Sequence, residues 1–269
     1  MMDAFLWQNG SRVEEIRVPL PSDRTSAGFW LGDGLFETIL VSNGEAFALD
    51  RHLRRLSQSQ GRLLMQGEWD DKKLDDSVKR GIAEAVRWLA GETGQIRVTL
   101  LSSNDLLITS KRHLISDAAV SVTVYPNQRD EKSSLVGIKT LSYGEHGLAL
   151  RYAKARGFDD VIFFNRQGFA SESALANLLL WDGHRWWTPS LESGCLPGVT
   201  RELLIEYFDV KEGEFTRTDL LGMRTLALAS SLRDVQRIGQ FDGLTFPEEI
   251  EVARLRRQFQ EWRVKNPDP

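Results

Sequence analysis

A two-part α+β fold is predicted by three features of the chain. Strand-like and helix-like segments arrive in groups rather than in strict alternation, an aperiodic polar stretch interrupts them in mid-chain, and 269 residues are enough for two cores. The polar stretch is NQRDEKSS, and it divides the chain into an N-terminal α/β part (1–126), a linker (127–134) and a C-terminal part (135–269). In the first part, LFETILVSNGEAFAL reads as a hairpin with Asn43-Gly44 at its turn. Leu53, Leu56, Leu63 and Leu64 then recur at helical spacing, as do Leu74, Val78, Ile82, Val86 and Leu89. IRVTLLSS and AAVSVTVY read as strands.

In the second part a strand runs into Lys139, a helix covers about 147–156, and DDVIFFN is a strand turning at Gln167-Gly168. ANLLLWDGHRWWTP reads as a hairpin about Asp182-Gly183, with the pair Trp186-Trp187 packing under a sheet or at a subunit interface. Pro197-Gly198 precedes the helix VTRELLIEYF, LALAS is a strand, and EVARLRRQFQEWRV is a closing amphipathic helix.

Composition narrows the function class. Hydrophobic content of 41%, charged content of 27% and a net charge of −4 with both signs interspersed describe an ordinary globular chain without a nucleic-acid-binding patch. The basic run Arg51–Arg55 is too short to be one. The single cysteine, Cys195, leaves no internal disulfide and fits a reducing compartment. MMDAFLWQNG has neither the basic start nor the apolar core of a signal peptide, and no apolar window has the length of a membrane span. A cytoplasmic protein with no metal requirement is expected.

Lys139 closes the apolar run Val136-Gly137-Ile138. An amine at the end of a buried strand must be paired, neutralised or covalently used, unless it reaches to water along its own stem. Covalent use means an imine with an aldehyde cofactor, because a desolvated lysine becomes nucleophilic. Alone, the tetrapeptide favours the solvent-reaching lysine. The mid-helix Lys154, in a polar context, is the weaker candidate for an imine.

The wider sequence changes that balance. GDGLFETI, LDRHLRRL, KTLSY, GFASESALANLLL, GCLPGVTRELL and ALASSLRDV follow in this order between Gly32 and about Gly243. Together they resemble the branched-chain-type, fold type IV family of pyridoxal-phosphate enzymes, which includes branched-chain and D-amino acid aminotransferases and 4-amino-4-deoxychorismate lyase. The resemblance implies a two-domain α+β fold, with a smaller N-terminal α/β domain and a larger C-terminal domain with a β-barrel-like core. It also implies pyridoxal 5′-phosphate as cofactor, a small-molecule substrate and a homodimer.

Residue roles follow from the same resemblance. Lys139 matches the lysine that forms the Schiff base and then serves as the proton-transferring base. Glu172 matches the glutamate facing the pyridine nitrogen, where a carboxylate keeps the ring protonated and electron-accepting. Arg55 matches the phosphate-binding arginine, with His52 one turn earlier on the same helix face. Gly198, Val199 and Thr200 open a helix whose free amides suit an anion, and Ser231 matches a phosphate-binding hydroxyl. Asn177 matches an asparagine that orders the local backbone. Arg97, Tyr143, Phe36 and the turn Leu232-Arg233 fall on the substrate side. Phe36 and Leu31 stand where some transaminating members carry tyrosines, and the stretch after Arg97 lacks an Arg-Gly seen in several relatives. Read singly, Glu172 is a hairpin surface carboxylate, Thr200 a helix cap, Arg97 a solvent-facing strand residue and Cys195 a small core residue. KTLSY, RGFDDVIFF, ALASSLRDV and FDGLTFP look most like the lyase, with an amino acid aminotransferase as the alternative.

Overall fold

The computed structural model describes residues 4–15, 28–65, 71–248 and 250–269. Contacts divide the chain into two compact units, one of residues 1–114, 138–143 and 263–269, the other of 115–137 and 144–262.

In the first unit the elements are β1 (Phe5–Gln8), β2 (Ser11–Arg12), α1 (Gly28–Leu31), β3 (Gly34–Ser42), β4 (Glu45–Ala46), α2 (Leu49–Arg62), α3 (Asp71–Leu89), β5 (Gly94–Leu101) and β6 (Leu106–Arg112). The strands form one antiparallel sheet in the order β2-β1-β6-β5-β3-β4. Asn43 and Gly44 both take positive φ, 54° and 77°, as the tight β3–β4 hairpin requires. Leu53 and Leu56 of α2 and Leu74, Val78, Ile82 and Leu89 of α3 bury most of the predicted apolar stripes in one core with Phe5, Trp7, Ile39, Ile96 and Ile108, and Leu63 and Val86 pack against it partly buried. Leu64 does not belong to its stripe, because α2 ends at Arg62 and the positive φ of Leu64 turns the side chain out to 80% exposure.

Val136–Lys139, expected as a strand, is not one. Gly137 takes φ 70° and the Val136 amide turns back to the Ser133 carbonyl, so the run is a turn. The segment after it lies along β3 through a single bridge, Leu35 to Thr140, with the Phe36 amide donating to the Lys139 carbonyl (2.9 Å) and the Leu141 amide to the Gly34 carbonyl (2.8 Å). This close approach needs a glycine at 34, because a Cβ there would stand 2.5 Å from the Leu100 carbonyl oxygen and 2.9 Å from Leu141.

The second unit contains β7 (Val120–Val124), α4 (Gly144–Ala155), β8 (Asp160–Phe164), β9 (Ala170–Ser173), β10 (Asn177–Trp181), β11 (Trp186–Pro189), α5 (Val199–Tyr207), β12 (Lys211–Gly213), α6 (Arg217–Gly222), β13 (Thr225–Ser230), β14 (Asp234–Phe241), β15 (Leu244–Thr245) and α7 (Ile250–Lys265) as far as Trp262, the end of the helix being counted with the first unit. Its strand order is β12-β11-β10-β13-β14-β7-β8-β9. A further pairing of β9 with β10 closes six of these strands into a ring, the β-barrel-like core that the resemblance implies. The period of two is visible along β8. Ile162 and Phe164 point into the barrel beside Leu178, Leu180, Leu226, Leu228 and Ile238, while Val161 and Phe163 meet Ala149 and Ala153 of α4 outside it. Among the described residues no helix is long and apolar enough to cross a membrane.

Candidate active site

In the first unit, one strand and one helix gather most of the buried charged side chains. β3 is buried along its length except at Thr38 and Ser42, which are half-buried, and its one charge is Glu37, a carboxylate 1% exposed. Arg55 on α2 meets it twice, Nε to Oε1 at 2.8 Å and Nη2 to Oε2 at 2.5 Å, and Nδ1 of His52 lies 2.7 Å from Oε2. The His-x-x-Arg spacing puts both side chains on one helix face, and that face packs on β3. Burial opposes a charge on Glu37, but the Arg55 guanidinium and the His52 hydrogen bond outweigh it and bring the carboxyl down to about 2. Burial pushes His52 below the usual imidazole value against the pull of Glu37, so its ring is neutral.

The neighbouring residue on β3 organises a second group. The Arg97 guanidinium, from β5, lies over the Phe36 ring at 3.7 Å from its centroid, and the Lys139 amine is 4.4 Å from the same centroid. Tyr143 meets Phe36 edge-on at 5.3 Å and has the Lys139 amine 5.6 Å from its own centroid. Burial lowers Arg97 from the ordinary guanidinium value, and among the described residues no carboxylate hydrogen-bonds or ion-pairs with it. Six of the residues singled out in the sequence are therefore assembled here: Phe36, His52, Arg55, Arg97, Lys139 and Tyr143.

In the second unit, the strand pair that closes the barrel, Glu172 opposite Asn177, grips the backbone of one residue on both sides. Glu172 Oε2 accepts from the Leu196 amide (3.0 Å) and Asn177 Nδ2 donates to the Leu196 carbonyl (2.8 Å). The other oxygen of Glu172 is held by the Arg129 guanidinium, which also lies over the Phe163 ring at 5.6 Å. Asn177 is pressed against Gly198, where a Cβ would lie 2.0 Å from its Oδ1. Gly198 is the N-cap of α5 in an extended conformation, with no side chain capping the helix, and Val199 and Thr200 are buried in its first turn. Arg201 fastens the same turn through the Pro189 carbonyl (2.8 Å) and Glu212.

Ser231, Leu232 and Arg233 form the turn from β13 to β14, closed by the Arg233 amide on the Ser230 carbonyl at 3.0 Å. The Arg233 guanidinium is directed at Asp160 (3.2 Å) and Gln236 (2.9 Å). Asp160 is fully buried, and burial raises its carboxyl above the ordinary value against the effect of Arg233 and the Val161 and Ala174 amides. Cys195 is buried, and burial first, then the charge of Glu172, pushes its thiol up to about 11. Lys154 lies in the last turn of α4 with an exposed side chain. Among the described residues no cluster of His, Cys, Asp or Glu could hold a metal ion.

Sequence reading missed Glu37, Arg129 and Arg201. Glu37 had a signal, being the one charge in the apolar run Leu35–Val41. Arg129 had none, since it lies in the polar stretch 127–134 that reads as solvated.

The family model described as Amino-transferase class IV matches residues 34–241. The chain belongs to amino-transferase class IV. This class works with pyridoxal 5′-phosphate, which is therefore the cofactor of this enzyme. Among class IV relatives, the "Bifunctional aminodeoxychorismate lyase / D-amino acid transaminase" of Mycobacterium tuberculosis is 26% identical over 247 residues, covering 80% of this chain and 84% of that protein. The "Aminodeoxychorismate lyase" of Bacillus subtilis is 26% identical over 261 residues, covering 86% and 84%. In fold, the chain is similar to the branched-chain aminotransferase of Thermoproteus uzoniensis, with a TM-score of 0.85 at 22% identity over 98% of this chain and 95% of that one.

Proposed function

We propose that this class IV enzyme is a 4-amino-4-deoxychorismate lyase, which eliminates pyruvate to leave 4-aminobenzoate. The observation that carries the reading is the group on Phe36, an amine and a carboxylate-free guanidinium sharing one aromatic ring. A half-buried guanidinium without an acidic partner among the described residues suits a substrate carboxylate, and 4-amino-4-deoxychorismate carries two. Phe36 adds no hydroxyl, unlike the tyrosine of some transaminating members, and the lyase-named relatives point the same way.

The residues fit the cofactor. Arg55 and His52 offer a buried guanidinium and imidazole, Gly198, Val199 and Thr200 an uncapped helix start, Ser231 a hydroxyl, and Glu172 a buried carboxylate for the pyridine nitrogen. When bound, pyridoxal phosphate supplies an aldehyde carbon for the substrate amine and a ring that accepts an electron pair. Lys139 Nζ takes the proton from the amine-bearing carbon of the substrate. The enolpyruvyl ether bond then breaks, the ring becomes aromatic, and Lys139 returns a proton to the departing group, which leaves as pyruvate. Arg97 and Tyr143 hold the substrate against Phe36, with Leu232 and Arg233 on the substrate side. We assign the enzyme to the cytoplasm, which its single cysteine fits, and to a homodimer, which the family resemblance implies.

Chorismate supplied with an aminodeoxychorismate synthase should yield 4-aminobenzoate and pyruvate in equal amounts, and borohydride should fix the cofactor to Lys139. The bifunctional M. tuberculosis relative favours a second reading, an amino acid transaminase of the branched-chain or D-amino acid type. Oxo-acid-dependent consumption of amino acids without any 4-aminobenzoate would establish it and overturn the first.

A further inference from the structure

Glu37 is absent from the roles derived above, yet it is the centre of the buried charge in the first unit. Both of its oxygens are committed. Oε1 accepts from Arg55 Nε, and Oε2 accepts from Arg55 Nη2 and sits 2.7 Å from His52 Nδ1. A carboxylate that is ionised can only accept, so the proton between it and His52 belongs to the imidazole nitrogen. That fixes the tautomer of a neutral His52, with its Nε2 left as the acceptor atom. The two contacts to Arg55 likewise fix the plane of the guanidinium, since a fork held on two donors cannot rotate about its last bonds.

We propose that Glu37 is a positioning residue that sets the guanidinium plane of Arg55 for the phosphate of pyridoxal phosphate, while His52, donating through Nδ1, holds Glu37 in turn. This rests on the reading above, in which Arg55 takes that phosphate. The alternative for a buried Glu–Arg pair is a role in holding α2 onto β3 and nothing more. The two roles differ in what they predict for ligands with and without a phosphate. A structural carboxylate affects pyridoxal and pyridoxal phosphate alike, whereas a positioning carboxylate affects only the second.

The test is equilibrium binding of pyridoxal phosphate and of pyridoxal to the apoenzyme, followed by absorbance, in the wild type, E37Q, R55A and the double variant. E37Q keeps the side-chain shape but turns an amide toward Arg55. It should weaken pyridoxal phosphate about 10- to 100-fold, the usual cost of removing a group that orients a ligating side chain, and leave pyridoxal unchanged. R55A should show the same selectivity, and the double variant should lose no more than R55A alone. Equal losses for both ligands in E37Q, or losses that multiply in the double variant, would overturn the positioning role while leaving Arg55 as the phosphate ligand. R55A with no preferential loss of pyridoxal phosphate would overturn the Arg55 assignment and this proposal with it. If E37Q does not fold, E37D keeps the charge, moves it by one methylene, and should show a smaller loss of the same selectivity.

Discussion

The two units arrange their candidate residues by different means. In the first, side chains meet side chains: Lys139, Arg97, Arg55 and His52 are gathered about β3, with Glu37 bound to two of them. In the second, side chains mainly discipline the backbone, with Glu172 and Asn177 holding the Leu196 amide and carbonyl and Asn177 pressed against Gly198. The difference teaches where damage should show. Changes in the first unit should act on proton transfer and charge, and changes in the second on the order of a loop and a helix start.

The largest expected effect lies in the first unit. K139A should lose about 10^4-fold in turnover, the upper range for a proton-transferring side chain, and should no longer be fixed to its cofactor by borohydride. A variant retaining wild-type release of 4-aminobenzoate or transamination would remove the basis of the comparison. Next is the acid sensitivity of Glu37. Its carboxyl falls from 4.5 to about 2 on folding, so its stabilising contribution is complete above pH 4.5 and is lost as pH falls through about 2. That contribution is on the order of 3 kcal/mol, and denaturant titrations should show the gap between wild type and E37Q closing over this window. A gap that stays constant from neutral pH downward would show that the carboxylate is not held ionised.

In the second unit G198A should cost about 2 kcal/mol by overpacking against Asn177, and N177G in the same chain should restore part of it. Thermal melts with no restoration would mean that the loop is set elsewhere. The smallest effect concerns Cys195. With its thiol pushed up to about 11 and buried, it should alkylate slowly at neutral pH in the native state and quickly in denaturant. Rapid native labelling would mean that the segment next to the helix start opens readily.

Legibility in the sequence followed the same division. Most of the stripes of α2 and α3, the Asn43-Gly44 hairpin and the strand β8 could be read because each is a local period, a turn signal or a short apolar run. Phe36, Arg55, Arg97, Lys139 and Tyr143 could be named because side-chain chemistry leaves motifs. The partners could not. Glu37 finds Arg55 across a helix–strand contact, Arg129 finds Glu172 from a stretch that reads as solvated, and the closure of the barrel rests on one pairing between neighbouring strands. The turn at 136–138 was hidden because Val-Gly-Ile has a strand's composition, and only the positive φ of Gly137 reveals otherwise.

The segment 138–143 has its own consequence for biosynthesis. It belongs to the first unit although the chain on both sides of it belongs to the second. A ribosome that has released residues 1–114 has delivered Glu37, His52, Arg55 and Arg97 but not the Lys139 amine that shares the Phe36 ring with Arg97. Until the KTLSY segment emerges and lies down along β3, the nascent chain lacks the base proposed for it, and a fragment cut short at that point would stay so however well it folded.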